Sequence, residues 1–470
     1  MQNAQIRFGT DGWRGVIADD FTFTNVRRVA QATADYWNSL VGTQRGAIVG
    51  YDNRFLSETF AKLVCEVFAA NGIRAMYPPE AVPTPSVTFA VKERKLAGAV
   101  MITASHNPPQ FNGYKLKAHY AGPADPGICK DVEAFVDRSP VRATPFDAGV
   151  KAGTIELHDP RPTHFAAIKK RVDLAGIRRA KLRVVSDSMH GCGGHVLENL
   201  VGGQTIRAER DPFFGGVNPE PNGKNLGALC TAVKKARAHI GLATDGDADR
   251  LGIVDNTGRY VSIQLVFAML LLHLLRNRGE KTGVVVKSAN STYLIDRICR
   301  AHGLKCVEVA VGFKYICAQM RETDVLIGGE ESGGIGFRGH IPERDGILAN
   351  LMLLELLATA RKPLTKIMAE LQKEFGASAY DRIDMPYPLE KRDKLIETLR
   401  SDVPKTLLGA PLAQMKDYDG VKYITRDDSW LMFRTSGTEP IIRIYSEASS
   451  AAHVAKLLDH GRQLALRIAR

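Results

Sequence analysis

Three stretches of this sequence share one grammar, and it confines the chain to alternating α/β layers. Each opens on a short β-branched or apolar run, turns on polar or glycine residues, and continues as a helical pattern. Residues 47–54 read AIVGYDNR and are followed by Phe60, Leu63, Val64, Val67 and Phe68, at the three- and four-residue steps of one helix face. Asn71-Gly72 closes that helix. Residues 182–191, LRVVSDSMHG, lead into a second helical pattern over 195–200. Residues 283–292, GVVVKSANST, precede Leu294, Ile295, Ile298 and His302-Gly303. In each case polar residues fall at the carboxyl end of the strand, where open α/β sheets bind ligands.

From about residue 379 the pattern changes. A helix around 389–399 is followed by the strand-like runs VKYIT, WLMFR and IIRIYSE and by a last helix from Ala451, which predicts an α+β tail. Turn-rich stretches at 139–152, 256–258 and 375–377 read as linkers. With 470 residues, the chain has room for three or four cores. Its 44% hydrophobic and 24% charged residues describe a globular protein.

A net charge of +12 suits anionic ligands, and Lys and Arg form no basic block of the nucleic-acid-binding kind. Seven scattered cysteines with no CxxC pair argue against a disulfide framework or structural zinc and fit a reducing cytosol, so a cytoplasmic location is expected. The N-terminal segment has no apolar h-region, and the longest apolar run, 265–275, is too short to span a bilayer. No membrane or nucleic-acid partner is expected. Asn290-Ser291-Thr292 matches a glycosylation sequon that should stay unmodified.

Four local constellations carry chemistry. Asp245, Asp247 and Asp249 alternate in DGDADR after the apolar run 240–243. Three carboxylates within five residues repel one another unless a cation offsets them, and their oxygens suit Mg²⁺ in a phosphate reaction. An exposed acidic turn is the alternative. An EF-hand is not, because its glycine and glutamate positions hold Arg250 and Asn256.

Thr103-Ala104-Ser105-His106-Asn107-Pro108 follows the strand-like run 97–102 and places Ser105 as a nucleophile or phosphate carrier, or as a capping serine. His106 beside it is a catalytic candidate, although adjacency alone does not make a serine–histidine pair. Asn112-Gly113 turns the chain so that Lys115 can approach, to neutralise phosphate charge or assist proton transfer.

Residues 328–334, GGEESGG, offer carboxylates and a hydroxyl on a glycine-rich loop suited to sugar hydroxyls, or form only a polar loop. Residues 434–440, RTSGTEP, place an arginine and hydroxyls on a turn that suits a phosphate cradle or a plain hairpin. No Walker A sequence is present, so a nucleotide phosphate donor is not indicated.

Together with RFGTDGWRG at 7–15, these motifs resemble the α-D-phosphohexomutase family, the phosphoglucomutases and phosphomannomutases, in order and approximate spacing along the whole chain. The resemblance implies three similar α/β domains with mixed sheets and a C-terminal α+β domain, arranged around a central active-site cleft. The expected limits are 1–150, with the phosphoserine loop; 151–257, with the metal loop; 258–376, with the sugar loop; and 377–470, with the phosphate loop.

It further implies one Mg²⁺ per chain, held by a Ser105 phosphate oxygen with Asp245, Asp247 and Asp249. Arg14, Lys115 and Arg250 would surround the reacting phosphate. Glu330 and Ser332 would bind sugar hydroxyls, and Arg434, Ser436, Gly437 and Thr438 the other phosphate. Lys287 and Gly312, the latter in Gly312-Phe313-Lys314, would make further ligand contacts. The implied reaction interconverts hexose 1-phosphate and hexose 6-phosphate through a phosphoserine and a hexose 1,6-bisphosphate, which also serves as activator, in a monomer or homodimer.

Dual glucose/mannose members often read GEMSGH in the third loop. This chain has Glu331 and Gly334 there, followed by HIPERDG at 340–346, which is closer to the glucose-preferring phosphoglucomutases. The rival readings are a phosphomannomutase or phosphoglucosamine mutase with the same chemistry, a phosphatase using Asp245 as nucleophile, and a sugar-phosphate binder. Asp249 stands where the phosphatase pattern has Thr or Val.

Overall fold

The computed structural model describes residues 5–9, 11–40, 45–435 and 440–469. The chain forms two compact units, Met1–Ile263 with Gly312–Thr365, and Gln264–Val311 with Lys366–Arg470.

The first unit opens on a seven-stranded mixed sheet. Ala47–Tyr51 lies parallel to Gly98–Ile102 on one side and to Ala75–Tyr77 on the other, and Phe111–Ala118 runs antiparallel to Gly98–Ile102. Trp13–Val16 pairs antiparallel with Phe111–Ala118 in the register Arg14↔Gly113. The helix Ser57–Ala70 buries Phe60, Leu63, Val64, Val67 and Phe68, the residues expected from the spacing, and Asn71 caps its end. Ile155–Leu157 adds an edge strand to Ala75–Tyr77, so this sheet reaches beyond residue 150, where the sequence placed the end of the first domain.

A five-stranded sheet follows. Ile240–Thr244 is parallel to Val184–Asp187 and antiparallel to Leu251–Val254, so the aspartate loop is the connection of a hairpin. Residues 256–258 are not a linker. They form the next turn of this sheet, closed by Gly258 N–H to Asp255 O at 2.9 Å and Asp255 N–H to Arg259 O at 2.8 Å. A further antiparallel pair, Val325–Gly329 with Ile335–Phe337, carries the glycine-rich loop. The helix Gly346–Ala360 is buried along most of its length and begins on Asp345, whose Oδ1 accepts the N–H groups of Ile347 and Leu348.

In the second unit, Val284–Ser288 and Lys305–Val309 pair in parallel, with the helix Leu294–Ala301 between them in sequence. The tail is an antiparallel six-stranded sheet flanked by Arg392–Ser401 and Ala451–Ala469, an α+β arrangement as expected. Trp430 is fully buried there and donates Nε1–H to Glu447 at 2.8 Å. Asn290 and Thr292 of the sequon are buried. The 139–152 stretch, read as a linker, contains the short helix Phe146–Lys151. Among the described residues, no helix is long and apolar enough to cross a membrane.

Gly113 ties this architecture to the chemistry. A Cβ there would lie 2.6 Å from Thr103 O, 2.9 Å from Trp13 O and 3.1 Å from Arg14 Cγ, so only glycine lets the three strands close around the serine loop. Gly113→Ala should lower unfolding stability in urea by about 1–3 kcal/mol, the usual cost of overpacking. An unchanged denaturation midpoint would show that the strands yield without cost.

Candidate active site

Ser105 stands three residues beyond the end of Gly98–Ile102, buried, with a left-handed backbone (φ 55°) unusual for a residue with a side chain. What holds it there is Arg54, whose buried guanidinium donates to Ser105 O and Asn107 O, both at 2.7 Å, to Pro108 O at 2.8 Å and to Phe111 O at 3.0 Å. Its Nε donates to Asp52 at 3.1 Å. Asp52 in turn accepts from Thr103 Oγ1 at 2.5 Å and Ser57 Oγ at 2.7 Å. One cation therefore bonds three carbonyls of the serine loop and that of Phe111, the first residue of the next strand.

Ser105 Oγ donates to Asp245 Oδ2 at 2.8 Å, and His106 Nδ1 lies 3.4 Å from the same hydroxyl oxygen. Asp245, Asp247 and Asp249 are all buried, with one carboxylate oxygen of each within 4.8 Å of the others. Asp245 Oδ1 accepts the N–H groups of Asp249 and Arg250, at 3.0 and 3.1 Å. Asp247 Oδ2 accepts from Thr84 at 2.5 Å and Lys115 at 2.8 Å. Asp249 Oδ2 accepts from Lys115 at 3.2 Å and Arg344 at 2.7 Å.

Asp247 Oδ1 and Asp249 Oδ1 are buried with no hydrogen-bond partner. Each aspartate thus has one oxygen tied to the protein, while the other is unpartnered or faces Ser105. Hard oxygen donors with unspent lone pairs fit a Mg²⁺ ion.

Charge follows geometry. Burial, with Asp247 and Asp249 beside it, pushes the Asp245 carboxyl well above the usual range. Burial alone would also raise Asp247, but Lys115 overrides it and holds that carboxyl low. Lys115 is raised in return, since Asp11, Asp247 and Asp249 outweigh its desolvation. It is a fixed positive charge.

Arg250 Nε is buried without a hydrogen-bond partner, 3.9 Å from Asp245 and 3.8 Å from Asp249. Arg14 donates to Asn107 Oδ1 at 2.7 Å, at the far side of the serine loop. The glycine-rich loop is joined to the aspartate loop by Leu251 N–H to Gly333 O at 3.1 Å and by a bridge between Arg250 and Gly334. Glu330 is buried there, and desolvation raises its carboxyl. Ser332 is half-buried in the same turn. Gly312 caps the helix Phe313–Glu322 with φ 133°.

The second unit holds the remaining expected ligands. Lys287 is buried and donates to Asp296 and to Thr292 O, with Glu308 3.4 Å away, so a ligand would have to displace one of these partners. Arg434 Nε donates to Asp419 at 3.0 Å. Ser436, Gly437 and Thr438 lie outside the described residues.

Four functional neighbours escaped the sequence reading: Arg54, Thr84, Asp11 and Arg344. Arg344 is the most connected of them. It is buried and pairs with Asp249, with Glu330 at 3.2 Å and with Asp11, which also lies 3.0 Å from Lys115. The following residue anchors it. Asp345 Oδ2 receives His164 Nε2 at 2.8 Å and His340 Nε2 at 3.0 Å, and His164 Nδ1 meets Ser86 Oγ at 2.8 Å. The motif HIPERDG contained this signal, since a charged pair before a helix start is a cap and a candidate site residue together.

Comparison with known proteins identifies the family. Models described as phosphoglucomutase/phosphomannomutase alpha/beta/alpha domains I, II and III match residues 5–141, 162–258 and 264–375, and the C-terminal domain model matches 391–462. A phosphoglucomutase/phosphomannomutase of Thermococcus kodakarensis is 31% identical over 469 residues, spanning 97% of this chain and 98% of the relative. A Pyrococcus abyssi relative that carries the name phosphoglucosamine mutase is 30% identical over 461 residues, spanning 97% of each. A solved structure from Thermus thermophilus, named for a phosphomannomutase, is 36% identical with a TM-score of 0.86, covering 98% of this chain and 99% of that one. The chain belongs to the phosphoglucomutase/phosphomannomutase family. Its enzyme class is that of the phosphohexomutases, which are isomerases.

Arg344→Gln leaves Asp249 and Glu330 short of a cation, and kcat/KM should fall about 100-fold, the scale of losing one preorganised electrostatic contact. Steady-state assays on the folded variant check this, and unchanged kinetics would make the residue purely structural.

His340 gives a pH dependence. Burial first, then His164 and Arg171, hold its pKa below the ordinary 6.5 despite Asp345. The unfolded chain then takes up a proton that the folded one refuses, so stability declines as pH falls below 6.5. Asp345, itself held low, titrates only in stronger acid. Melting temperatures between about pH 8 and pH 5, the range that brackets an ordinary histidine, should fall less steeply for His340→Gln. Parallel curves would contradict the assignment.

Proposed function

We propose that the enzyme interconverts glucose 1-phosphate and glucose 6-phosphate, with Ser105 as the phosphoryl carrier and glucose 1,6-bisphosphate as the intermediate. The observation that carries this reading is Ser105 Oγ at 2.8 Å from Asp245, beside unpartnered oxygens on Asp247 and Asp249. A binding protein has no use for a nucleophile set against a cation cage. A division into four domains is supported by four family models matched in the same order, with the first domain reaching past residue 150 to include the edge strand Ile155–Leu157.

Asp245, Asp247 and Asp249 would hold Mg²⁺, which would neutralise charge on the transferring phosphoryl group. In the first half-reaction the Ser105 Oγ–P bond breaks, a bond forms from phosphorus to the sugar's free hydroxyl oxygen, and that hydroxyl's proton leaves to water, balancing the one delivered to Ser105 Oγ. His106 Nδ1, 3.4 Å from Oγ, is placed to protonate that oxygen as it is released. Lys115, fixed as a cation, and Arg250, whose Nε has no hydrogen-bond partner, neutralise the equatorial oxygens, while Arg14 closes the far side of the loop. Glu330 and Ser332 take the sugar hydroxyls. Arg434 and the following Ser436, Gly437 and Thr438 take the second phosphate, with Lys287 and Gly312 as further contacts. The bisphosphate then turns end for end and returns its other phosphoryl group to Ser105.

Glucose is favoured by the GEESGG and HIPERDG loops. The phosphoglucosamine mutase name of the P. abyssi relative makes glucosamine the second reading. Turnover of glucose, mannose and glucosamine 1-phosphates, with and without Mg²⁺ and a trace of glucose 1,6-bisphosphate, separates these. Glucose 1-phosphate should turn over fastest, activity should vanish in EDTA, and Ser105→Ala should lose at least about 1,000-fold in kcat. Phosphate found by mass spectrometry on Asp245 rather than Ser105 would defeat the proposal.

A further inference from the structure

In the second unit one carboxylate is shared between two segments that lead to expected ligand contacts. Asp419 Oδ1 accepts Arg434 Nε–H at 3.0 Å, and its Oδ2 accepts the N–H of Val311 at 2.6 Å. Arg434 opens the RTSGTEP motif, and Val311 is the residue before Gly312. Asp419 itself belongs to neither motif.

The local chain explains how a single side chain reaches both. Ala410–Lys416 and Val421–Thr425 run antiparallel, and residues 417–420 make the connection between them. Gly420 takes φ 82°, and a Cβ there would collide with Phe433 O and lie 3.2 Å from Arg434 Cα. Only glycine lets this turn lie against the strand Trp430–Thr435 near its Arg434 end. The turn is pinned on its other side too. Tyr418 Oη donates to Glu308 Oε1 at 2.6 Å and Lys416 Nζ to the same oxygen at 2.9 Å. Glu308 lies on Lys305–Val309, the strand that runs on toward Val311.

A solvent-exposed ion pair contributes little and sets no geometry. Asp419 and Arg434 are withdrawn from water, with side chains 17% and 19% exposed, and both carboxylate oxygens are engaged. Burial works against the charged guanidinium, but Asp419, with Tyr445, outweighs it. A guanidinium held at Nε has its plane fixed, and bidentate recognition of a phosphate depends on that plane.

We propose that Asp419 is a positioning residue of the mutase: from one carboxylate it sets the plane of Arg434 and the backbone of residue 311, so that the arginine and the approach to Gly312 are fixed together. This rests on the assignment of Arg434 to the second phosphate.

Steady-state kinetics of the whole enzyme, with the hexose 1-phosphate that turns over fastest, test the role. Asp419→Asn keeps the shape but has one acceptor oxygen for two donors. Its KM should rise about tenfold with kcat changed less than about threefold, as for a contact made equally in the ground and transition states. Tyr418→Phe loosens the turn from Glu308 but leaves Asp419 intact, and its KM should stay within about twofold of wild type. Arg434→Gln should raise KM by itself, and adding Asp419→Asn to it should raise KM no further. This last comparison stays decisive if a substitution lowers the melting temperature, because general loosening would add to the Arg434→Gln effect. Unchanged KM in Asp419→Asn, an equal rise in Tyr418→Phe, or a second full rise in the double variant would overturn the positioning role and leave Arg434 its own. Unchanged KM in Arg434→Gln would instead remove the phosphate assignment, and this inference with it.

Discussion

The mutual repulsion of three buried aspartates is the constraint on which the rest of the first unit depends. Two unit charges about 4 Å apart in a protein interior interact by about 4 kcal/mol at an effective dielectric constant of about 20. Asp245, Asp247 and Asp249 therefore cannot all be ionised and buried without counter-charge. Lys115 and Arg344 supply it for Asp247 and Asp249, but both cations are shared with Asp11. Asp245 is left with Arg250 at 3.9 Å and a serine hydroxyl, and its raised pKa records the deficit. The deficit falls at Asp245, at the point where a phosphoserine and a divalent cation would meet.

The serine loop shows the complementary device. Its left-handed Ser105 and irregular backbone would be costly if their carbonyls were unpaired in the interior. Arg54 removes that cost with four carbonyl bonds and is itself oriented by Asp52. Ser105 is thus positioned by a rigid cation on a neighbouring strand end, so its placement does not rely on loop flexibility.

The fold class and the loops were legible because each rests on a local pattern: strand, turn and amphipathic helix for the sheets, and contiguous motifs for Ser105, the aspartates and Glu330. Single residues that act through tertiary contact were not. Arg54 and Asp52 were visible only as polar residues at a strand end, since nothing local says that Pro108 and Thr103, far along the chain, are their partners. Thr84 is the first residue of the helix Thr84–Arg94 and carries no local signal, yet its hydroxyl reaches Asp247. The edge strand Ile155–Leu157 is too short to show a period, and the turn at 256–258 looks the same whether it joins two strands or two domains.

Gly334 and Arg344 are a single feature written in two places. A Cβ on residue 334 would sit 2.7 Å from Arg344 Cδ and 3.0 Å from Glu330 Oε2. Any side chain there would claim the volume that the arginine stem occupies, at interior packing densities that leave no slack. This chain keeps the loop bare and brings a permanent cation from the start of the helix Gly346–Ala360, anchored through Asp345 and its two histidines. A side chain at residue 334 and the Arg344 stem would compete for the same space beside Glu330. The consequence is chemical as well as steric: an arginine at that place can neutralise Glu330 and Asp249 but cannot exchange a proton at neutral pH, so proton transfer in this chain must fall to other groups.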